Sequence, residues 1–150
     1  MSILKKIDDN IIKALKNGEK EKLTVLRGLK SELKYKQIDK GDDLTDDDTI
    51  AVLSSAAKKR RESIEQYNNA DRTDLADKES LELKIIEQYL PEQLDESKLR
   101  QIVADAIEET GADSPQKIGL IMKVVMPKIK GQADGKMVNK LVIELLNKVE

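Results

Sequence analysis

The side chains best equipped for chemistry in this 150-residue chain are cations. Lys58-Lys59-Arg60-Arg61 form one run, and Lys117, Lys123, Lys128, Lys130 and Lys136 are spread over the last third. Such groupings point to anionic ligands, phosphates foremost, held by charge and by forked hydrogen bonds. The groups that would turn binding into catalysis are missing. The chain has no histidine and no cysteine, so the commonest general base near neutral pH, the usual zinc ligands and any Ser-His or Cys-His pair are excluded. Neither GxGxxG nor GxxxxGK(S/T) occurs, and no nucleotide or other cofactor is expected. Asp42-Asp43 and Asp46-Asp47-Asp48 could gather a divalent cation, but loop and helix-cap chemistry accounts for them, and no metal site is assigned.

The net charge of -2 hides a segregation. Residues 91–113 carry two basic side chains against seven acidic ones, whereas residues 114–150 carry seven lysines against Asp134, Glu144 and Glu150. A basic C-terminal third suits an anionic partner, and equally suits a solvated lysine face. No stretch approaches the roughly 18 apolar residues of a membrane span, and the N-terminus lacks the apolar core of a signal peptide. A cytoplasmic protein without a membrane partner is the expectation.

Seven helices must position these charges. Apolar residues recur at steps of three and four almost throughout, and Phe and Trp are absent, so the core is aliphatic. Leu4, Ile7, Ile11 and Leu15 stripe a first helix closed by Asn17-Gly18. Leu23, Leu26, Leu29 and Leu33 stripe a second that runs out near Gln37. Thr45 and Asp48 make a capping box for a long third helix reaching Asn69. The fourth extends from Thr73 to Tyr89, where Pro91 stops it. Asp95 caps a fifth that ends at Gly111. Ser114-Pro115 opens a sixth, apolar nearly all round and ended or bent by Pro127. Asp134 caps a seventh, with Val138, Leu141, Val142 and Leu145 on its buried side. The fold class is all-α, with an N-terminal helical unit built on a long hairpin (1–92) and a small C-terminal three-helix domain (93–150).

Arg60 falls on the apolar stripe of the third helix, made by Ile50, Leu53, Ala57, Ile64 and Tyr67. Glu79 and Glu82 interrupt the stripe of the fourth. Folding the two helices about Asp71 sets Arg60 opposite Glu82, which predicts a partly buried structural pair of Arg60 with Glu82 or Glu79. The competing reading makes Lys58, Arg60 and Arg61 a phosphate-binding cluster, with Lys58 and Arg61 pointing outward. The glycine-bearing turn from Lys130 to Gly135 opens a helix and is flanked by lysines. It is either a plain interhelical turn or a phosphate contact, with Asp134 competing against the anion.

Met126-Pro127-Lys128-Ile129-Lys130-Gly131-Gln132-Ala133-Asp134-Gly135, followed by Asn139-Lys140-Leu141-Val142, resembles the YqeY family. Leu23 through Arg27, Lys58 through Glu65, Arg72 with Asp74-Leu75, Glu79 with Glu82, and Tyr89 through Leu94 extend the resemblance over nearly the whole chain. It departs at Lys123, where the family often has glycine. The resemblance implies a C-terminal domain similar to the tail of the B subunit of tRNA-dependent amidotransferases. That tail contacts the tRNA body, while the transamidation chemistry lies elsewhere in the complex. Carbon–nitrogen ligase activity would follow only by analogy. The expectation is a non-catalytic accessory protein that engages tRNA, or a tRNA–synthetase or tRNA–amidotransferase complex, through Lys117, Lys123, Lys128, Lys130 and Lys136, with Lys58 and Arg61 as further candidate tRNA contacts. The alternative is a protein-interaction module that docks through Met122, Val125 or Met126 of the sixth helix without touching RNA.

Overall fold

The computed structural model describes residues 2–147, so Lys148 and Glu150 of the C-terminal charge balance lie outside the described residues. Among these residues the fold is all-α, with no strand, and the chain divides into two compact units after Pro91. The first unit contains α1 (Ile3–Asn17), α2 (Lys20–Lys40), α3 (Asp46–Asn69) and α4 (Thr73–Glu87). The second contains α5 (Glu96–Thr110), a 3-10 turn (Pro115–Lys117), α6 (Ile118–Lys128) and α7 (Gly135–Asn147).

In the first unit, α3 and α4 form the long hairpin, and α1 and α2 pack on it. Ile7, Leu26, Leu29, Leu33, Leu53, Ala57 and Ile86 are almost wholly removed from water. Ser2 caps α1 by accepting from the Lys5 N–H, and Gly18 closes it in the left-handed conformation at φ 69°. Ala14, rather than Leu15, takes the last inward position of α1, and Leu15 is 60% exposed. A step of three and a step of four both stay on one face, so Ile11 could be followed by either. The second helix runs to Lys40, three residues past its expected end, because Gly41 at φ 75° donates its N–H to the Gln37 carbonyl. The fourth helix stops at Glu87, and Tyr89 lies in the turn after it, buried, with its hydroxyl 2.7 Å from the Asn10 amide donor.

In the second unit, Leu99, Val103, Ile121, Val125, Val138, Val142 and Leu146 make a separate core. Asp95 accepts from the Lys98 N–H, and Gly111 ends α5 at φ 67°. Ser114 makes no side-chain cap, and Pro115 opens a 3-10 turn before α6 begins. Pro127 stands in the last turn of α6, which ends at Lys128. Of that helix's apolar residues only Ile121 and Val125 are fully buried, whereas Leu120 and Met126 stay exposed. Leu146 takes the buried place expected of Leu145, which packs at the edge of the core.

The start of α3 is fixed by reciprocal hydrogen bonds. Asp48 N–H donates to the Thr45 hydroxyl at 3.1 Å, and Thr45 N–H donates to the Asp48 carboxylate at 2.9 Å. Lys40 reaches the same carboxylate at 2.6 Å, so the end of α2 and the start of α3 share one anion. The Lys40 hydrogen bond, then those from Thr45, lower the Asp48 pKa from 3.8 to about 2. A carboxyl group whose folded pKa is depressed stabilises the fold above its unfolded value, and that stabilisation fades as pH falls. Thr45→Ala should cost about 1 kcal/mol in denaturant unfolding. Asp48→Asn should remove part of the acid sensitivity between pH 3.8 and about 2, a window set by the two pKa values.

Candidate functional site

The cations of the hairpin do not form one cluster. Arg60 turns from α3 toward α4, with its Nε 3.4 Å from Glu82 Oε2 and 4.0 Å from Glu79 Oε2. All three side chains are only 21–23% exposed, and the Nε has no aligned hydrogen bond despite its ion-pair distances. Arg61 departs from the outward orientation expected of it. Its Nη2 lies 3.4 Å from Glu87 Oε1, with about a third of each side chain in water. The cause is helical spacing, since residues 60 and 61 both border the contact with α4 while Lys58 stays in solvent. A phosphate reaching this surface would meet Lys58 but would have to displace Glu82 or Glu87 to reach either arginine.

The lysines of the second unit keep to its surface. Lys117 pairs with Asp113 at 2.8 Å and Lys128 with Glu109 at 3.6 Å, and the side chains of both pairs are roughly half or more exposed. Lys123 projects into solvent from α6 with no ion pair among the described residues. Lys130 and Lys136 are exposed and have partners within the chain.

The glycine-bearing turn is a clip rather than an open anion cradle. Gly131, at φ 75°, offers its carbonyl to the Gln93 amide at 2.7 Å. The Gln132 carbonyl accepts from the Leu94 N–H at 2.9 Å, and the Gln132 amide donates back to the Glu92 carbonyl at 3.3 Å. At the start of α7 the Asp134 carboxylate accepts from the Lys136 N–H, so the protein's own anion holds the place a phosphate would take. Residues 92–94, where the sequence sets the division between the two units, and Gly131-Gln132, read as a turn, are two halves of one structure. The only trace of this in the sequence is a glutamine in each half.

No group of three or more His, Cys, Asp or Glu side chains able to hold a metal occurs among the described residues. None of their helices is long and apolar enough to cross a membrane. The fold and its charges define an all-helical protein of two small units, whose ionised groups are paired or exposed along the helices. Residues 4–146 match the model of the Yqey-like proteins, and the chain belongs to the YqeY family. It is 34% identical over 86 residues to an uncharacterised protein of Schizosaccharomyces pombe, covering 57% of this chain and 70% of that one. It is 26% identical over 147 residues to the protein of Pyrenophora tritici-repentis called altered inheritance of mitochondria protein 41, mitochondrial, covering 96% and 81% of the two chains. A protein of the same name from Vanderwaltozyma polyspora is 35% identical over 98 residues, covering 60% and 52%.

Glu82→Ala should lower stability by about 1–3 kcal/mol, below the cost of breaking a fully buried pair because the site is partly wet. A double-mutant cycle with Arg60→Ala reads the coupling directly. Gln93→Ala leaves the Gly131 carbonyl without its partner and should cost about 1–2 kcal/mol, with amide exchange accelerating in residues 92–94 and 131–134.

Proposed function

We propose that this chain is a non-catalytic accessory protein that binds tRNA, or a tRNA–enzyme complex, through the lysines of its second unit. The reading draws on family membership and on the similarity of this unit to the amidotransferase B-subunit tail. One observation carries it. The acidic partners of Lys117 and Lys128 are themselves 69% and 62% exposed, so these pairs are loosely held. Exposed ion pairs contribute little stability, and phosphate oxygens exchange for such carboxylates at small cost. Lys123 adds a cation on the same unit. Three tyrosines and no Phe or Trp leave little for stacking on bases, which favours recognition of backbone shape over sequence.

A second reading rests on α6. Leu120 is 51% and Met126 38% exposed, one on each side of the solvent-facing Lys123, so two apolar side chains of this helix are open to a protein partner. Val125, expected to take part in such docking, is wholly buried and belongs to the core, and Met122 is half-buried. The docking residues are therefore Leu120 and Met126.

Titrating tRNA against the full chain at several salt concentrations separates the two. Binding by lysines should weaken with salt at a logarithmic slope of roughly 0.7 to 0.9 per phosphate contact. Joint replacement of Lys123, Lys128 and Lys136 by alanine should lower affinity at least tenfold and flatten the slope. Unchanged tRNA affinity in that variant removes the RNA reading. A salt-stable protein complex lost on Met126→Glu supports the second.

A further inference from the structure

Helix α2 has two faces, and among the described residues only one is packed into the core. The inner face gives Val25, Leu26, Leu29 and Leu33 to the core. On the outer face Tyr35 is 75% and Ile38 69% exposed, the most exposed large apolar side chains among the described residues. The same face continues toward the N-terminus through Ser31, Gly28 and Thr24, all exposed. Glycine within a helix costs roughly 0.8–1 kcal/mol against alanine. A Cβ at Gly28 would meet nothing within 4 Å, so no contact inside the chain requires the glycine.

The charges beside this stripe are sorted by sign. Arg27 and Lys34 precede Gly28 and Tyr35 on one flank, while Glu32 and Asp39 follow Ser31 and Ile38 on the other. None of these four has an ion-pair partner among the described residues. Tyr35 and Ile38, with Glu32, Lys36 and Asp39, also line a shallow hollow of about 800 Å³ that opens toward Ala51, Ser55 and Lys59 of α3.

We propose that the outer face of α2 is the contact between two copies of this chain, packed with their α2 helices side by side and parallel. In heptad lettering Gly28 and Tyr35 stand at a, Ser31 and Ile38 at d, Arg27 and Lys34 at g, and Glu32 and Asp39 at e. In a parallel pair each g side chain faces the e side chain five positions on in the other copy. Arg27 then meets Glu32 and Lys34 meets Asp39, each twice by symmetry. An antiparallel pair would set g against g and e against e, like charge against like. The charge order thus selects both the occupant, a second copy, and its orientation. Gly28 and Ser31 let the two backbones approach closely, and Tyr35 and Ile38 supply the apolar area. With half of the a and d positions filled by small residues, the association is concentration-dependent. It is independent of the tRNA reading, which concerns the other unit.

Sedimentation velocity of the full chain from micromolar to near-millimolar concentration tests this. The mass should rise from 16.9 kDa toward twice that value. Ile38→Asp, at an exposed position, should keep the melting temperature and abolish the rise. Arg27→Glu with Lys34→Glu, and separately Glu32→Lys with Asp39→Lys, should each yield a monomer alone and a heterodimer when mixed. The chain has no cysteine of its own, so Ile38→Cys should oxidise readily to a symmetric disulfide dimer, because the parallel arrangement holds the two copies of position 38 side by side. A monomer at every concentration overturns the proposal. So does a dimer indifferent to Ile38→Asp or to the charge reversals, since its contact lies elsewhere.

Discussion

Without phenylalanine or tryptophan, the helices of this chain must gain their stability from aliphatic side chains that are individually modest. Burial of each leucine, isoleucine or valine contributes about 1.5–3 kcal/mol, so many must be brought together. That requires closely approaching helices with small residues at the tightest places. Ala56, Ala57 and Ala76 fill that role in the hairpin, and Ala106 does so in the second unit. Two cores result, one in each unit, and each unit has its own caps, turns and ion pairs.

The features readable from sequence were those that depend on near neighbours. The Thr45–Asp48 box, the Asp95 cap and the left-handed glycines after α1 and α5 are local agreements between side chain and backbone, and periodicity locates the helices between them. Arg60 was conspicuous because a charge on an apolar stripe needs a partner, and the opposing helix has Glu79 and Glu82 at its contact face. Choices that local rules leave degenerate were not readable. Ala14 and Leu15 follow Ile11 by three and by four, and only the position of the neighbouring helix decides which of them turns inward. The pairing of Gln93 with Gly131 spans 38 residues and involves backbone carbonyls, which every residue possesses.

The two units use charge differently. In the first, Arg60 and Arg61 are drawn against the hairpin and flanked by carboxylates, where a planar, permanently charged group can tolerate partial loss of water. In the second, lysines remain at the surface with partners that are themselves wet. Enclosed charge fixes helix register and resists exchange, whereas wet charge can trade one anion for another. The contrast is one between the Arg60 and Arg61 pairs and those of Lys117 and Lys128, since the first unit also carries wet pairs at Lys30–Asp8 and Arg72–Asp74. It also explains why the run Lys58 to Arg61, the densest cationic stretch of the sequence, offers less accessible charge than its composition suggests.

The clip between residues 92–94 and 131–132 has a consequence for how this chain can vary in length. Surface connections usually accept insertions, because their ends need only stay within reach. Here one added residue between Ile129 and Gln132 would rotate the two carbonyls away from Gln93 and Leu94 together, and the segment leading into α5 would lose its moorings. Relatives with the same clip are therefore constrained to the same spacing at this turn, and longer versions of the fold must carry their extra residues elsewhere.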